Sequence, residues 1–120
     1  MADRSSTGWV NDVRGSPRIE GKLEIATSDT GIFIGGDPKG LRSLAELLAW
    51  VANVDQGCLS HMPDGERFHV HLYPEDAQGF GTLTCFSEET ELCRLDAKGT
   101  GDLPRHLDER QPPRRSLKEE

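Results

Sequence analysis

The chain has 120 residues, a formal net charge of −7 and a hydrophobic content of 34%, enough for one small domain. It holds no apolar run of the roughly 18 residues a membrane helix needs. Its start, Met-Ala-Asp-Arg-Ser-Ser-Thr-Gly, lacks the basic region and apolar core of a signal peptide, so a cytoplasmic protein without membrane contact is expected.

The charge is not spread evenly. Residues 1–17 carry two acids against two bases, and residues 99–120 carry five against five. The whole net charge therefore belongs to residues 18–98. An acidic domain lacks the basic footprint that phosphate-backbone binding requires, so nucleic acid is not expected as a partner; the acidity suits a basic protein surface or, more simply, only aids solubility. Three cysteines, Cys58, Cys85 and Cys93, form an odd set without close spacing or a secretion signal, which points to reduced thiols.

In chain order, residues 1–17 read as a polar, disordered leader in which Trp9 and Val10 are the exceptions, either docking on the domain or staying exposed. Residues 18–25 alternate, with Ile19, Leu23 and Ile25 on one face. Ser28-Asp29-Thr30-Gly31 supplies a turn, and Ile32-Phe33-Ile34 a short strand. These two strands read as a hairpin.

The longest element follows. Asp37 suits an N-cap, Pro38 the first helical position and Gly57 the left-handed residue after the end. Leu41, Leu44, Ala45, Leu48, Val51 and Ala52 recur at helical spacing and are expected to face the core. Leu47, Trp50 and Val54 form a second stripe beside them, which becomes a contact surface if the sheet is too narrow to cover it. Arg42, Glu46, Ala49 and Asn53 are left for solvent.

Residues 57–66 read as a loop with a turn at Pro63-Asp64-Gly65. Residues 67–73 alternate cleanly: Phe68, Val70 and Leu72 point one way, and His69, His71 and Tyr73 the other, until Pro74 ends the strand. Residues 81–86 and 91–95 read as a last hairpin around Ser87–Thr90. A four-residue loop would put Cys85 and Cys93 on opposite faces, and an odd loop on one face. From residue 99 the composition turns to Gly, Pro and charge, a disordered tail. The order β-β-α-β-β-β predicts an α+β fold: an antiparallel sheet of four to five strands packed on one long helix.

Several short motifs invite chemistry. His69-Val70-His71 places two imidazoles on one strand face, so both are candidate metal ligands. A zinc site needs three or four protein ligands, and the available additions, His61, Cys58, Glu75 and Asp76, have no diagnostic spacing to the pair. Cys58 and His61 form a nucleophile–base pair only on paper, without a third orienting group or an oxyanion hole. Adjacent carboxylates at Glu75-Asp76 and Glu88-Glu89 read as solvated turns rather than opposed acids. The glycines at 35, 36 and 40 lack phosphate-loop spacing and are accounted for by turn and cap. No enzyme and no cofactor is expected.

The helix and the histidine strand together carry a resemblance. Gly36-Asp37, Gly40-Leu41-Arg42-Ser43-Leu44-Ala45 and Leu47-Leu48, followed by His69-Val70-His71-Leu72, resemble immunity-protein family 32 of bacterial polymorphic toxin systems over about residues 31–96. Members share a Gly-Leu-x-x-Leu-Ala helix and an H-x-H-L strand. Tyr73 stands where the family pattern leads one to expect an acid, with Glu75 and Asp76 displaced. The resemblance implies a small α+β protein that binds and neutralises a cognate toxin. The expected function is thus a non-enzymatic binding protein whose partner surface comprises His69, His71, Tyr73, Glu75 and Asp76. The alternatives are a metal- or ligand-binding protein using His69 and His71, or a domain with no specific ligand.

Overall fold

The computed structural model describes residues 15–75 and 80–107. Trp9, Val10 and Asp76 lie outside the described residues. The described chain is α+β: strand β1 (Leu23–Ser28), strand β2 (Gly31–Gly36), helix α1 (Pro38–Asn53), strand β3 (His69–Leu72) and strand β4 (Thr90–Cys93), with short 3₁₀ turns at Gln56–Cys58 and Arg105–Leu107. Among the described residues no helix is long and apolar enough to cross a membrane.

The strands do not form the expected single sheet of four to five. They form two antiparallel pairs, β1 with β2 and β3 with β4. The predicted strand 81–86 is the reason. Gly81 has φ +107°, and a turn at Cys85-Phe86 is closed by the Ser87 amide donating to the Thr84 carbonyl at 3.0 Å. The segment therefore cannot run a ladder, and it links the two pairs by single bonds instead. The Thr84 and Glu88 amides donate to the Leu23 and Ile25 carbonyls at 2.9 and 2.7 Å, and the Leu83 amide donates to the Tyr73 carbonyl at 3.1 Å. Isolated bridges join Ile19 to Gly81 and Tyr73 to Thr82. β4 consequently pairs with β3 and not with residues 81–86, so the expected last hairpin is absent. Cys85 sits in the turn, and all three thiols are free and exposed.

Strand β1 begins at Leu23 rather than Arg18 because Gly21, at φ +79°, turns the chain there. The turn brings the Lys22 backbone against the start of α1. A Cβ on Gly40 would lie 1.9 Å from the Lys22 carbonyl oxygen, so only glycine admits this approach. Asp37 is the N-cap, as its residue type predicts: its Oδ1 accepts from the Gly40 amide at 2.7 Å and from the Lys22 amide at 3.0 Å. Ser43, one turn on, is buried, and its hydroxyl accepts from the Glu20 amide at 3.1 Å.

These contacts fix the rotation of α1 about its own axis. With Gly40 and Ser43 turned inward, the buried stripe is Gly40, Ser43, Leu44, Leu47 and Val51, continued by Val54. Leu41, Ala45, Leu48 and Ala52 are exposed instead of facing the core. Trp50 is half-buried, edge-on to Phe68 at 5.7 Å between ring centroids. Of the stripe expected in the core, Leu44 and Val51 are buried as expected, and the burial extends to Leu47 and Val54 of the second stripe rather than to Leu41 and Leu48. Leu48 and Ala52 border an open groove of about 710 Å³ whose other wall includes Leu92, Leu95 and Leu103.

The helix stops at Asn53, three residues short of the stop at Gln56 that Gly57 implied, and Gly57 is not left-handed. Val54 takes extended geometry at the C-cap and is buried in the core. Asp55 then opens the 3₁₀ turn by accepting from the Gly57 amide at 3.0 Å. Phe68, Leu23, Leu47, Leu59, Leu72 and Leu83 are the largest fully enclosed side chains; burial of each contributes about 1.5–3 kcal/mol.

Candidate functional site

The alternation of residues 68–73 is reproduced in space. Phe68, Val70 and Leu72 are buried, whereas His69, His71 and Tyr73 are half-exposed on the opposite face. The three rings form a row. His69 meets His71 edge-on at 5.0 Å between centroids, and His71 stacks on Tyr73 at 5.9 Å with 13° between planes. A period of two places successive odd residues about one ring apart, which is what allows the row.

The pairing of β4 adds what the sequence did not connect. Glu91 lies across from His71, and Cys93 across from His69. Glu89, just before β4, brings its Oε2 to 3.7 Å from His71 Nδ1. That is an ion-pair distance for a protonated ring but too long for a hydrogen bond, and His71 Nδ1 is otherwise enclosed without a hydrogen-bond partner. His69 Nδ1 stands 3.2 Å from the Arg67 carbonyl. Partial desolvation of its otherwise exposed side chain, then the negative charge of Glu91, pushes the Cys93 thiol above its usual range, which makes it a poor nucleophile.

Glu75 lies beyond Pro74 and is exposed. Among the described residues, no three His, Cys, Asp or Glu side chains gather as a metal site would require. Cys58 and His61 stay in the exposed loop after α1, and the Cys58 thiol donates to Asp55 Oδ2 at 3.3 Å, not to His61. That bond and the Asp55 charge hold the thiol protonated to higher pH than usual.

A second polar assembly holds the scaffold rather than facing a ligand. The Arg94 guanidinium donates from Nε and Nη2 to the two carboxylate oxygens of Asp96 at 2.8 and 2.6 Å. Gln56 is buried; its Nε2 donates to the Asp96 carbonyl at 2.9 Å and its Oε1 accepts from the Phe68 amide at 2.8 Å. The Lys98 ammonium donates to the carbonyls of Leu59 and Met62. These groups tie the loop after α1 to β3 and to the chain beyond β4. Apart from the local Arg94–Asp96 pair, nothing in their spacing along the sequence marks them, since the bonds of Gln56 and Lys98 span 12 to 40 residues.

Comparison with protein-family models, with curated proteins and with solved structures returns no match for this chain.

Proposed function

We propose that this chain is a non-enzymatic protein-binding domain, an immunity-type inhibitor of a cognate bacterial toxin, whose partner contacts the outer face of β3 and β4. The observation that carries the reading is the row His69–His71–Tyr73, half-exposed and flanked by Glu89 and Glu91. Rings of this kind give large contact area at small entropic cost, and Tyr in particular is enriched at interface centres. The neighbouring carboxylates suit a basic partner surface.

The test is co-expression with the products of neighbouring genes. Rescue of growth when an adjacent toxin is induced, together with co-purification of the pair, is the expected result. Rescue lost in the double variant His71→Ala/Tyr73→Ala, with the melting temperature kept, would assign the contact to this face. If no neighbouring product binds and none is neutralised, the reading is lost.

A further inference from the structure

The β2 edge carries a feature that neither the histidine row nor the scaffold uses. Ile32, Phe33 and Ile34 are 73%, 52% and 53% exposed, the longest run of large apolar side chains left open in the described chain. Their backbone is open too. The Leu23 and Ile25 carbonyls accept bonds from Thr84 and Glu88 on the side of β1 away from β2. In an antiparallel pair, successive residues turn their main-chain groups to alternate sides. The register pairs Glu24 with Gly35, Ala26 with Phe33 and Ser28 with Gly31, so these are the pairs that bond across β1 and β2. Ile32 and Ile34 must then present their N–H and C=O groups to the outer edge, where no described strand pairs with them.

Proteins blunt such edges with Lys, Pro or a bulge. The strand Gly-Ile-Phe-Ile-Gly-Gly has no charged residue and no proline. Two occupants fit an open apolar edge: a second copy, or a strand of another protein. Antiparallel self-pairing places all three apolar residues opposite one another only in the register centred on Phe33. That register brings Asp29 of each copy to the end where Asp37 of the other lies, acid against acid at both ends, between chains of formal charge −7 each. On the face where Phe33 lies, a hollow of about 280 Å³ is lined by Phe33, Glu24, Asp37, Lys22 and Thr84, with carboxylates outnumbering the cation.

We propose that the open edge of β2 receives, by strand addition, an extended apolar segment of another protein that carries Lys or Arg at both ends. Main-chain bonds to Ile32 and Ile34 supply the affinity, Phe33 and the two isoleucines supply the apolar contact, and Asp29 with Asp37 selects the charge. This surface is separate from the β3–β4 face, and the proposal stands whether or not that face binds a toxin.

The test uses the full chain and two synthetic peptides with the same alternating isoleucine–threonine core, one flanked by Lys and Arg and the other by Glu. The basic peptide is expected to bind at least tenfold more tightly at low salt. At saturation it should slow hydrogen exchange at the Ile32 and Ile34 amides at least tenfold and leave Phe33, already bonded to β1, unchanged. Ile34→Pro, which deletes one outward amide, should abolish binding while the circular dichroism spectrum is kept. Ile34→Thr, which keeps the amide, should bind more weakly than the native chain but still bind. Equal affinity for the two peptides, protection elsewhere than at Ile32 and Ile34, or protection of those amides by concentration-dependent dimerisation without peptide would each overturn the proposal.

Discussion

Arg94 Nη1 donates to the Val54 carbonyl at 2.9 Å and to the Val51 carbonyl at 3.1 Å, so a side chain just past β4 caps the end of a helix 40 residues earlier. The last carbonyls of a helix have no partner within it. Here the partner is a cation, which also opposes the negative end of the helix dipole. Asp96 holds the guanidinium by a two-pronged bond that fixes its plane. Replacing Arg94 with Ala should lower unfolding free energy by about 2–3 kcal/mol, read from urea midpoints. Lys should restore less than half of it, because an ammonium cannot span Asp96 and both carbonyls at once.

Gly40→Ala separates local propensity from packing. In an isolated helix the change is worth about 1 kcal/mol in favour of alanine. In this fold the added methyl would sit 1.9 Å from the Lys22 carbonyl oxygen. The substitution should therefore destabilise, and a rise in melting temperature would show that the Lys22 backbone does not press on α1 at Gly40.

Acid should weaken the protein through two carboxylates. The Lys22 and Gly40 amides hold Asp37 below the ordinary carboxylate range, and the Arg94 guanidinium does the same for Asp96. A folded-state value below the unfolded one, about 4, gives stabilisation that is complete above the unfolded value. It is lost as pH falls through the folded value. Unfolding free energy should thus be level at neutral pH and decline below pH about 4. Asp37→Asn should flatten part of that decline. An acid limb identical in the variant and the native chain would show that the Asp37 cap does not contribute to it.

Adjacent residues at the end of β3, Leu72 and the Tyr73 that follows it, should behave oppositely. Leu72 is fully enclosed, so Leu72→Ala should cost about 2–5 kcal/mol. Tyr73→Ala, on the outer face, should change stability by no more than about 0.5 kcal/mol and, under the proposed function, should weaken toxin binding. Equal losses of stability at the two positions would mean that the outer face is covered by the domain itself.

Thiol reactivity offers a local check on the loop after α1. Asp55→Asn removes the charge that keeps Cys58 protonated. Alkylation of Cys58 at mildly alkaline pH should speed up several-fold, with Cys93 unaffected, as followed by mass spectrometry.

Much of this was legible along the chain, and for a consistent reason. The Asp37 cap, Pro38 at the first helical position and the Phe68–Tyr73 alternation depend on residues within a few positions of one another. Local hydrogen bonding and side-chain periodicity therefore announce them. The row His69–His71–Tyr73 follows from the same period of two. What failed were features set by distant partners. Gly57 implies a helix stop at Gln56, but Arg94 and the burial of Val54 end the helix at Asn53. The strand at 81–86 had good alternation, yet Gly81 and the Thr84–Ser87 turn reduce it to single bonds between the two sheets.

The face of α1 is the sharpest division between the two. The sequence alone determined that a helix starts at Pro38 behind the Asp37 cap and carries a wide apolar arc, though it placed the end at Gln56 rather than Asn53. It could not say which edge of that arc goes in, because Leu41 and Leu48 are as apolar as Leu44 and Leu47. Gly40 against Lys22 and Ser43 against Glu20 made that choice. Such contacts exist only once residues some twenty positions apart have met, and they turned the helix until Leu41 and Leu48 faced outward. Likewise, composition marked Ile32–Ile34 as a strand. Only the pairing of β1 with the segment after Phe80 left it as the open edge.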